Sequence, residues 1–380
     1  MKHPSKRLPR APLCVVPPAL HEKGMLTRTW PDLSFNRQGS VEPGAWEARL
    51  VRTAYYAQHE VARWPLIAMN RLLFGVLLGA PRLPPAELPR VVRAVRRRYR
   101  ELQAKDLEQV ERGVYPASQL FAAPVWDYAR VLPSFALDAL NVARRARARK
   151  YDDLPRADLQ ALPAYYRRCF HWQTDGYLSD HSARVYDLGV EILFTGMADV
   201  MRRQVIGALF GVPSGASVLD VGCGTGRLLQ QLRLALPRAR LTGIDLSEPY
   251  VRHARARLGD AASVDVGNAE LLPYADSSFD AVVSVFLFHE LPKRVRRRVF
   301  AEMARVLKPG GVLVIEDSVQ LNDSPELAPV LRQFPRDLHE PFFTQYLSDP
   351  LEDLFQKPTF VPRSEPVFLA KLVSAHKRLA

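Results

Sequence analysis

The nine residues VLDVGCGTG, from Val218 to Gly226, combine an apolar run with a glycine-rich turn. The run VLDV is typical of a strand that is buried on both faces of a parallel sheet. The glycines allow the backbone to turn tightly and to approach a ligand closely. We predict a helix from Arg227, and the positive N-terminal end of its dipole would face the same ligand. The stretch therefore predicts a strand–turn–helix unit that binds a ligand at its turn.

The spacing of the glycines and acids narrows the class of ligand. Gly222, Gly224 and Gly226 give G-x-G-x-G, whereas dinucleotide folds use G-x-G-x-x-G and phosphate loops need Gly-Lys-Ser/Thr. Asp220, two residues before the first glycine, favours a cationic ligand over a diphosphate. Asp245 ends the next apolar run, 19 residues after Gly226. An acid about 20 residues past such a turn accepts hydrogen bonds from ribose hydroxyls.

Short apolar runs and helical stretches alternate after Pro213. This order predicts an α/β fold, a doubly wound and mostly parallel Rossmann-like sheet. Pro309–Gly311 is predicted to be the turn before the fifth strand. The predicted strands are Ser217–Val221, Arg240–Asp245, Ala262–Val266, Asp280–Phe286 and Gly311–Asp317, and the predicted helices are Arg227–Leu236, Glu248–Leu258 and Val295–Leu307.

VLDVGCGTG is followed, in order, by GIDLS, GNAELLPYADSSFD and ARVLKPGGVLVIED. This succession resembles the motifs of class I S-adenosylmethionine-dependent methyltransferases. It is most similar to the small-molecule branch that includes ubiquinone- and menaquinone-biosynthesis enzymes. The resemblance covers residues 182–317 well and the C-terminal segment loosely. It implies a seven-stranded sheet whose last two strands form an antiparallel pair, for which TFVPR and EPVFLAKLVS, within Thr359–Ser374, are the candidates.

The resemblance also implies roles for individual residues toward S-adenosylmethionine. Asp220 and the glycines would hold the methionine end, and Asp245 would bind the ribose. Leu246 would lie against the adenine, with Asn268 and Ala269 beside the adenine amino group. Many relatives carry Asp where this chain has Asn268, whose amide oxygen can still accept a hydrogen bond. The predicted cofactor residues are Asp220, Gly222, Gly224, Gly226, Asp245, Leu246, Asn268, Ala269 and Phe286.

The fourth predicted strand ends in FLFHELP, from Phe286 to Pro292. Ligands bind at the carboxyl ends of strands in open α/β sheets, so His289 and Glu290 are predicted to lie near the methyl acceptor. Since histidine titrates near neutrality, His289 is a candidate general base, and Glu290 is a second catalytic candidate. The alternative is that His289 begins the next helix and only packs. Methyl transfer asks mainly for alignment and exclusion of water, because the sulfonium is already activated.

Two further segments supply candidates for substrate binding. In related enzymes the region equivalent to HWQTDGYLSDHS, from His171 to Ser182, lies over the cofactor or the acceptor, although a structural hinge is an alternative. RDLHEP, from Arg336 to Pro341, falls where such enzymes place a substrate lid. The predicted substrate residues are His171, Tyr177, His181 and His339, with Trp172 and Asp175 as further candidates.

The three cysteines, Cys14, Cys169 and Cys223, show no CxxC or Cys/His spacing, so we predict neither a metal site nor a disulfide framework. This usage fits a reducing cytoplasm, where we place the protein. Cys223, inside the glycine turn, is predicted to be a small packed residue rather than a nucleophile. The apolar run Leu72–Ala80 is too short to span a membrane. Three prolines interrupt the apolar stretch Ala11–Leu20, which disfavours a secretion signal.

The chain of 380 residues is long enough for two domains. Residues 1–45 are rich in proline and charge, which predicts a disordered or extended leader. Residues 46–170 predict a helical accessory domain that ends in a linker, Asp152–Pro163, and residues 171–380 predict the methyltransferase domain. The net charge is +13, and residues 1–180 hold 29 Lys and Arg against 17 Asp and Glu. The basic character therefore belongs to the N-terminal half.

The basic half is consistent with solvated helix faces, or with contact to RNA or to an anionic membrane surface. FLFHELP stands where base methyltransferases carry Asn/Asp-Pro-Pro-Tyr/Phe, and no Pro-Cys pair occurs, which disfavours methylation of nucleic-acid bases. We predict a methyltransferase for a small, hydrophobic, quinone-, lipid- or polyketide-like metabolite. An RNA or protein methyltransferase is one alternative. A non-catalytic cofactor-binding partner is another, and the intact Asp220, Gly222, Gly224 and Asp245 argue against it.

Overall fold

Seven strands form one sheet at the centre of the protein, for which a computed structural model was obtained. In chain order they are β1 (Ser217–Val221), β2 (Arg240–Asp245), β3 (Ser263–Val266), β4 (Phe279–Val285), β5 (Leu307–Ser318), β6 (Arg363–Val367) and β7 (Ala370–His376). Their order across the sheet is β3-β2-β1-β4-β5-β7-β6. The first five strands are parallel, and β7 pairs antiparallel with both β5 and β6. This topology confirms the predicted doubly wound sheet with a C-terminal antiparallel pair. The segments predicted for that pair were wrong, because EPVFLAKLVS contains the turn between β6 and β7 and contributes to both strands, while only the last residue of TFVPR lies in β6.

The structure describes residues 45–77, 83–148, 154, 161–173, 175–356 and 358–379. All of them belong to one unit that spans residues 33–380. The predicted leader, apart from Ala45, lies outside the described residues, and so do Cys14 and most of the predicted linker Asp152–Pro163.

The fifth strand begins earlier than predicted. Pro309–Gly311, predicted to be the turn before it, lies inside β5, so this prediction was wrong. The pairing of β4 with β5 shifts register between Phe279 and Ala281. The extra residues of β5 at this point include both glycines and form an irregularity within the strand. The Gly310 N–H also donates to the carbonyl of Lys377, just after β7, at 2.8 Å. Pairing on both sides therefore keeps this segment in the sheet.

Helices cover both faces of the sheet. Because alternate residues of a strand face opposite sides, β1 divides between two cores. The helices that follow residue 170 are α4 (Asp180–Leu193), α5 (Ala198–Ala208), α6 (Arg227–Ala235), α7 (Glu248–Leu258), α8 (Lys293–Val306), α9 (Ala328–Asp337) and α10 (Phe343–Tyr346). Val218 packs in the core that includes residues of α5 and α6, and Leu219 packs in the core that includes α8.

In the described part of the chain, three long helices precede the sheet: α1 (Ala45–Asn70), α2 (Leu88–Glu111) and α3 (Val125–Arg147). The ring of Tyr99 in α2 packs edge-on against Phe368, beside β7, and the Arg98 guanidinium donates to the Phe368 carbonyl at 3.2 Å. Apolar residues of α1 and α2 share a core with α5 and β1. The domain boundary near residue 170 stays a prediction. No helix among the described residues is long and apolar enough to cross a membrane.

Asp106 of α2 joins these helices to the rest of the protein. Its carboxylate is fully buried and accepts hydrogen bonds from the Tyr55 and Tyr115 hydroxyls at 2.8 and 2.6 Å. Nε and Nη2 of Arg203, in α5, donate to the same carboxylate at 3.0 and 2.5 Å. Four donors thus converge on one buried acid from three separate parts of the chain.

Candidate active site

The turn after β1 adopts a backbone conformation that favours glycine. Gly222 and Gly226 have φ of +74° and +76°, in the left-handed region. A Cβ on Gly226 would also lie 2.8 Å from the Leu258 side chain. The N–H groups of Gly222 and Cys223 donate to the Ile244 carbonyl at 2.8 and 3.1 Å, which ties the turn to the end of β2. Cys223 is buried, and burial raises the pKa of its thiol, which does not suit a nucleophile.

Asp245, at the end of β2, holds the turn through its carboxylate. It accepts hydrogen bonds from the N–H groups of Gly224 at 2.9 Å and Ser247 at 2.8 Å. Burial raises its pKa to about 6, and these backbone donors oppose the shift. The carboxylate is therefore ionised at neutral pH. Since a carboxylate offers about four lone-pair positions, it can still accept hydrogen bonds from ribose hydroxyls.

Asp220, in β1, is a buried acid for which no described residue provides a hydrogen-bond donor; it is 2% exposed. Burial and the nearby Asp245 carboxylate raise its pKa to about 8. Burying an acid in this way is unfavourable for its ionised form unless a cation compensates. The methionine amine of S-adenosylmethionine would be such a cation, so the site fits the cofactor that the sequence implies.

We expect the free energy of unfolding of the ligand-free protein to fall less with rising pH in Asp220→Asn than in wild type. The pKa of an unfolded aspartate is about 3.9, and that of Asp220 in the folded protein is about 8. Its contribution to stability is complete below the lower pKa and is lost as the pH rises through the higher one. The loss is at most about 1.4 kcal/mol per pH unit in between. Urea unfolding at pH 5 and pH 8 measures the free energy of unfolding of both proteins. The variant should gain stability relative to wild type between pH 5 and pH 8, and an unchanged difference between the two proteins would contradict the raised pKa.

A cavity of about 100 Å³ lies beside the glycine turn. Asn268 lines it, and its Oδ1 accepts the Glu270 N–H at 2.9 Å, which leaves a second lone pair for another donor. Tyrosines 166, 177, 186 and 250 form part of the wall. The predicted cofactor residues that line the cavity are Gly222, Gly224, Asp245, Leu246, Asn268, Ala269 and Phe286, whereas Asp220 and Gly226 are not among its lining residues.

His289 pairs with an acid that the sequence analysis did not single out, and it does not line this cavity. Its Nδ1 lies 2.6 Å from Oδ1 of Asp317, at the end of β5. The other oxygen of Asp317 accepts the N–H groups of Phe288 and His289 at 2.7 and 3.2 Å. Burial lowers the pKa of His289, but the Asp317 carboxylate outweighs it and brings the pKa to about 9. The imidazole therefore carries a proton at neutral pH, and its role as a general base stays a prediction.

Glu290 and Tyr177 both line the cavity. The Tyr177 hydroxyl donates to Oε1 of Glu290 at 2.5 Å. Nε2 of His171 lies 3.6 Å from the same oxygen and 3.0 Å from Oε1 of Glu340. Burial lowers the pKa of His171, but the carboxylates of Glu340 and Glu290 raise it to about 10. A cationic imidazole thus lies between two acids at the edge of the cavity.

A second cavity, of about 90 Å³, lies against the N-terminal helices. Tyr186 lines both cavities, and His171 lines the second. The rest of its wall is mostly apolar. Much of it is supplied by α3, by α4 and by the π-helical segment Arg71–Leu77 that follows α1. The apolar lining residues are Leu73, Phe74, Phe135, Ala139, Val142, Val185, Val190, Leu193 and Leu338.

Two predicted substrate residues line neither cavity. Nε2 of His181 lies 3.8 Å from Oδ1 of Asp138, and the His181 side chain is 39% exposed. His339 is buried next to Glu340 in sequence. Asp175 is described but lines neither cavity, and the Trp172 side chain lies outside the described residues.

Sequence reasoning missed several residues of the site. Asp317 follows the same rule that selected His289, because it lies where a parallel strand ends at the carboxyl edge of the sheet. That rule could have found it. Tyr186 and Tyr250 lie within helices α4 and α7, where an aromatic residue gives no signal that separates a binding role from packing.

The part of the chain that holds these motifs is similar to known proteins. Residues 218–311 match the methyltransferase domain family. The chain contains a class I methyltransferase domain. S-adenosylmethionine is the cofactor of such domains and fits the site described above.

The methyltransferase domain has curated relatives in several organisms. A demethylmenaquinone methyltransferase of Thermotoga maritima is 39% identical over 138 residues, which cover 36% of this chain and 58% of that protein. The O-methyltransferase cnsE of Penicillium expansum is 34% identical over 170 residues, or 43% and 58% of the two chains. A SAM-dependent methyltransferase structure from Aquifex aeolicus is 25% identical, with a TM-score of 0.34, and the match covers 46% of this chain and 88% of that chain. The chain therefore spans little more than half the length of the curated relatives named here.

Proposed function

We propose that this protein transfers a methyl group from S-adenosylmethionine to a small, mostly apolar acceptor. One observation carries the proposal: the cavity that Asp245 and Asn268 line shares Tyr186 with a second, largely apolar cavity. The names of the relatives, a demethylmenaquinone methyltransferase and an O-methyltransferase, support a quinone-like or hydroxylated acceptor. Lipid- and polyketide-like acceptors remain within the same proposal.

In this proposal, three polar residues orient the cofactor. Asp220 binds the methionine amine, Asp245 the ribose hydroxyls and Asn268 the adenine. S-adenosylmethionine, when bound, supplies a methyl group that its sulfonium has already activated. The tyrosine wall keeps water from the reacting end. Alignment and exclusion of water of this kind are worth roughly 7–11 kcal/mol in favourable cases.

A hydroxylated acceptor must also lose a proton, and Glu290 is placed to accept it. Glu290 lines the cofactor cavity and lies 3.6 Å from His171, which lines the apolar cavity. Its Oε1 already accepts the Tyr177 hydroxyl, so Oε2 is the atom that would take the proton. The carboxylate would take up the acceptor proton at Oε2 when the bound cofactor supplies its methyl group to the acceptor oxygen.

Two measurements test the proposal in sequence. Calorimetric titration of the full chain with S-adenosylmethionine should show one site with a micromolar Kd. Incubation with methyl-labelled cofactor and a panel of naphthoquinones, phenols and fatty acyl compounds should then place label in an organic extract. A folded protein that binds no cofactor would overturn the proposal. Label that enters only RNA, with a steep salt dependence, would favour the RNA alternative instead.

We expect Ala139→Phe to weaken use of the acceptor without weakening cofactor binding. Ala139 is buried in α3 and lines the apolar cavity, so a phenyl group there would occupy acceptor space. kcat/KM for an acceptor found in that panel should fall by about tenfold or more, because even one extra methylene group in a tight pocket lowers this constant by that amount. The matched control is Leu140→Phe, at the next residue, which is 46% exposed and lines neither cavity. Equal losses in both variants would contradict the location of the acceptor.

A further inference from the structure

Three side chains from distant parts of the sequence converge at the boundary between the two cavities. His171 lies in a short turn before α4, Glu290 in the turn after β4 and Glu340 just after α9. One ligand atom from each, an imidazole nitrogen or a carboxylate oxygen, lies within 4.8 Å of the other two. Separations of this size are those of ligands around a single bound cation.

Glu340 gives an independent indication that something is bound there. It is 1% exposed, and neither of its carboxylate oxygens accepts a hydrogen bond of normal geometry from the described residues. The contact of its Oε1 with His171 Nε2, at 3.0 Å, is an ion pair that leaves Oε2 without a partner in the described part of the chain. A buried carboxylate in this situation is costly unless further positive charge compensates it.

The charge and chemistry of the group favour a divalent cation over a proton. Glu290 and Glu340 face His171, and Oε1 of Glu290 also lies 3.8 Å from Nε2 of His289, which is paired with Asp317. Protons on both imidazoles would balance two of these three carboxylates and leave one negative charge. One imidazole nitrogen with two carboxylate oxygens is a ligand set that suits Mn²⁺, Fe²⁺ or Zn²⁺. The Tyr177 hydroxyl already occupies one position on Glu290, which orients that carboxylate as neighbouring donors commonly do for metal ligands.

We propose that His171, Glu290 and Glu340 form a binding site for one divalent transition-metal cation. The site lies where both cavities meet, since Glu290 lines the first and His171 the second. Three protein ligands leave coordination positions open for water or for an acceptor oxygen. Cation binding here does not depend on methyl transfer, so this proposal and the proposed function can fail separately.

Mn²⁺ is the probe for this site, because its electron paramagnetic resonance signal is lost on binding. Titration of the full chain, freed of metal by a chelator, should show one Mn²⁺ per chain with a submillimolar Kd. Glu340→Gln and Glu290→Gln should each weaken binding by about tenfold or more. The matched control is Glu316→Gln. Glu316 is also fully buried, neither of its oxygens has a hydrogen-bond partner among the described residues, and it has no part in the cluster.

Each result of the Mn²⁺ titration either supports or overturns the proposed site. Stoichiometric binding that is lost in both cluster variants and kept in Glu316→Gln supports the site. A free Mn²⁺ signal that the protein does not reduce, or binding that is equal in all variants, overturns it and leaves His171 as a protonated bridge. If Glu340→Gln does not fold, Glu290→Gln decides alone, because Glu290 lies at the cavity wall and its replacement by an isosteric amide removes no packing.

Discussion

Replacing Asp106 by alanine is expected to lower the free energy of unfolding by about 3–5 kcal/mol, the usual cost of leaving one partner of a buried ion pair alone. Arg203 would keep its charge in a site where it is 4% exposed. The hydroxyls of Tyr55 and Tyr115 would lose the acceptor that they share. Urea unfolding of wild type and variant, monitored by circular dichroism, measures the difference.

The control for this prediction lies on the same helix. Glu111, at the end of α2, pairs with Arg52 at 2.6 Å, but the two side chains are 54% and 58% exposed. An exposed pair contributes at most about 1 kcal/mol, so Glu111→Ala should change stability within that limit. If Asp106→Ala cost no more than Glu111→Ala, the junction between α2 and α5 would not be what holds the N-terminal helices in place.

The second large effect concerns cofactor affinity. Asp245→Ala is expected to raise the Kd for S-adenosylmethionine by about 100-fold or more. In the proposed function Asp245 accepts hydrogen bonds from two ribose hydroxyls, and hydrogen bonds to a charged group contribute about 1.5–3 kcal/mol each. The variant also releases the N–H groups of Gly224 and Ser247, which the carboxylate holds in place. Calorimetric titration of both proteins under the same conditions gives the ratio of the two constants.

Two further variants show whether the loss comes from the carboxylate itself. Asp245→Asn keeps one acceptor oxygen, so we expect its loss of affinity to lie between those of wild type and Asp245→Ala. Asp260→Ala removes an exposed acid in the short turn after α7 and should leave the Kd unchanged. An affinity for Asp245→Ala within a few-fold of wild type would show that the cofactor does not contact this residue.

The central part of the fold was predictable because its signals are local. The apolar run, the glycines and the first helix are adjacent in the sequence, so VLDVGCGTG predicts the β1 turn directly. The spacing to Asp245 follows from the length of one helix and one strand, and the structure places its carboxylate on the turn itself. The rule that ligands bind at the carboxyl ends of parallel strands likewise predicted Glu290, which lines the cavity.

Features that depend on contacts between distant segments were not predictable. The start of β5 is set by pairing with β4 and with residues after β7, and neither partner is visible in the Pro309–Gly311 segment itself. His171 and Glu340 meet only because a turn before α4 and the end of α9 reach the same edge of the sheet. The apolar cavity is likewise formed by helices whose amphipathic patterns indicate burial but not the partner.

The packing of α2 on the far edge of the sheet also has a consequence during synthesis. Arg98 donates to the carbonyl of Phe368, 270 residues later in the chain. At roughly 5–20 residues per second, a ribosome needs roughly 15–55 s to make that partner. During this interval the part of α2 that packs beside β7 has no partner, although α5 and β1, which share its core, are made earlier. The packing of α2 is therefore completed only when almost the whole chain has been synthesised.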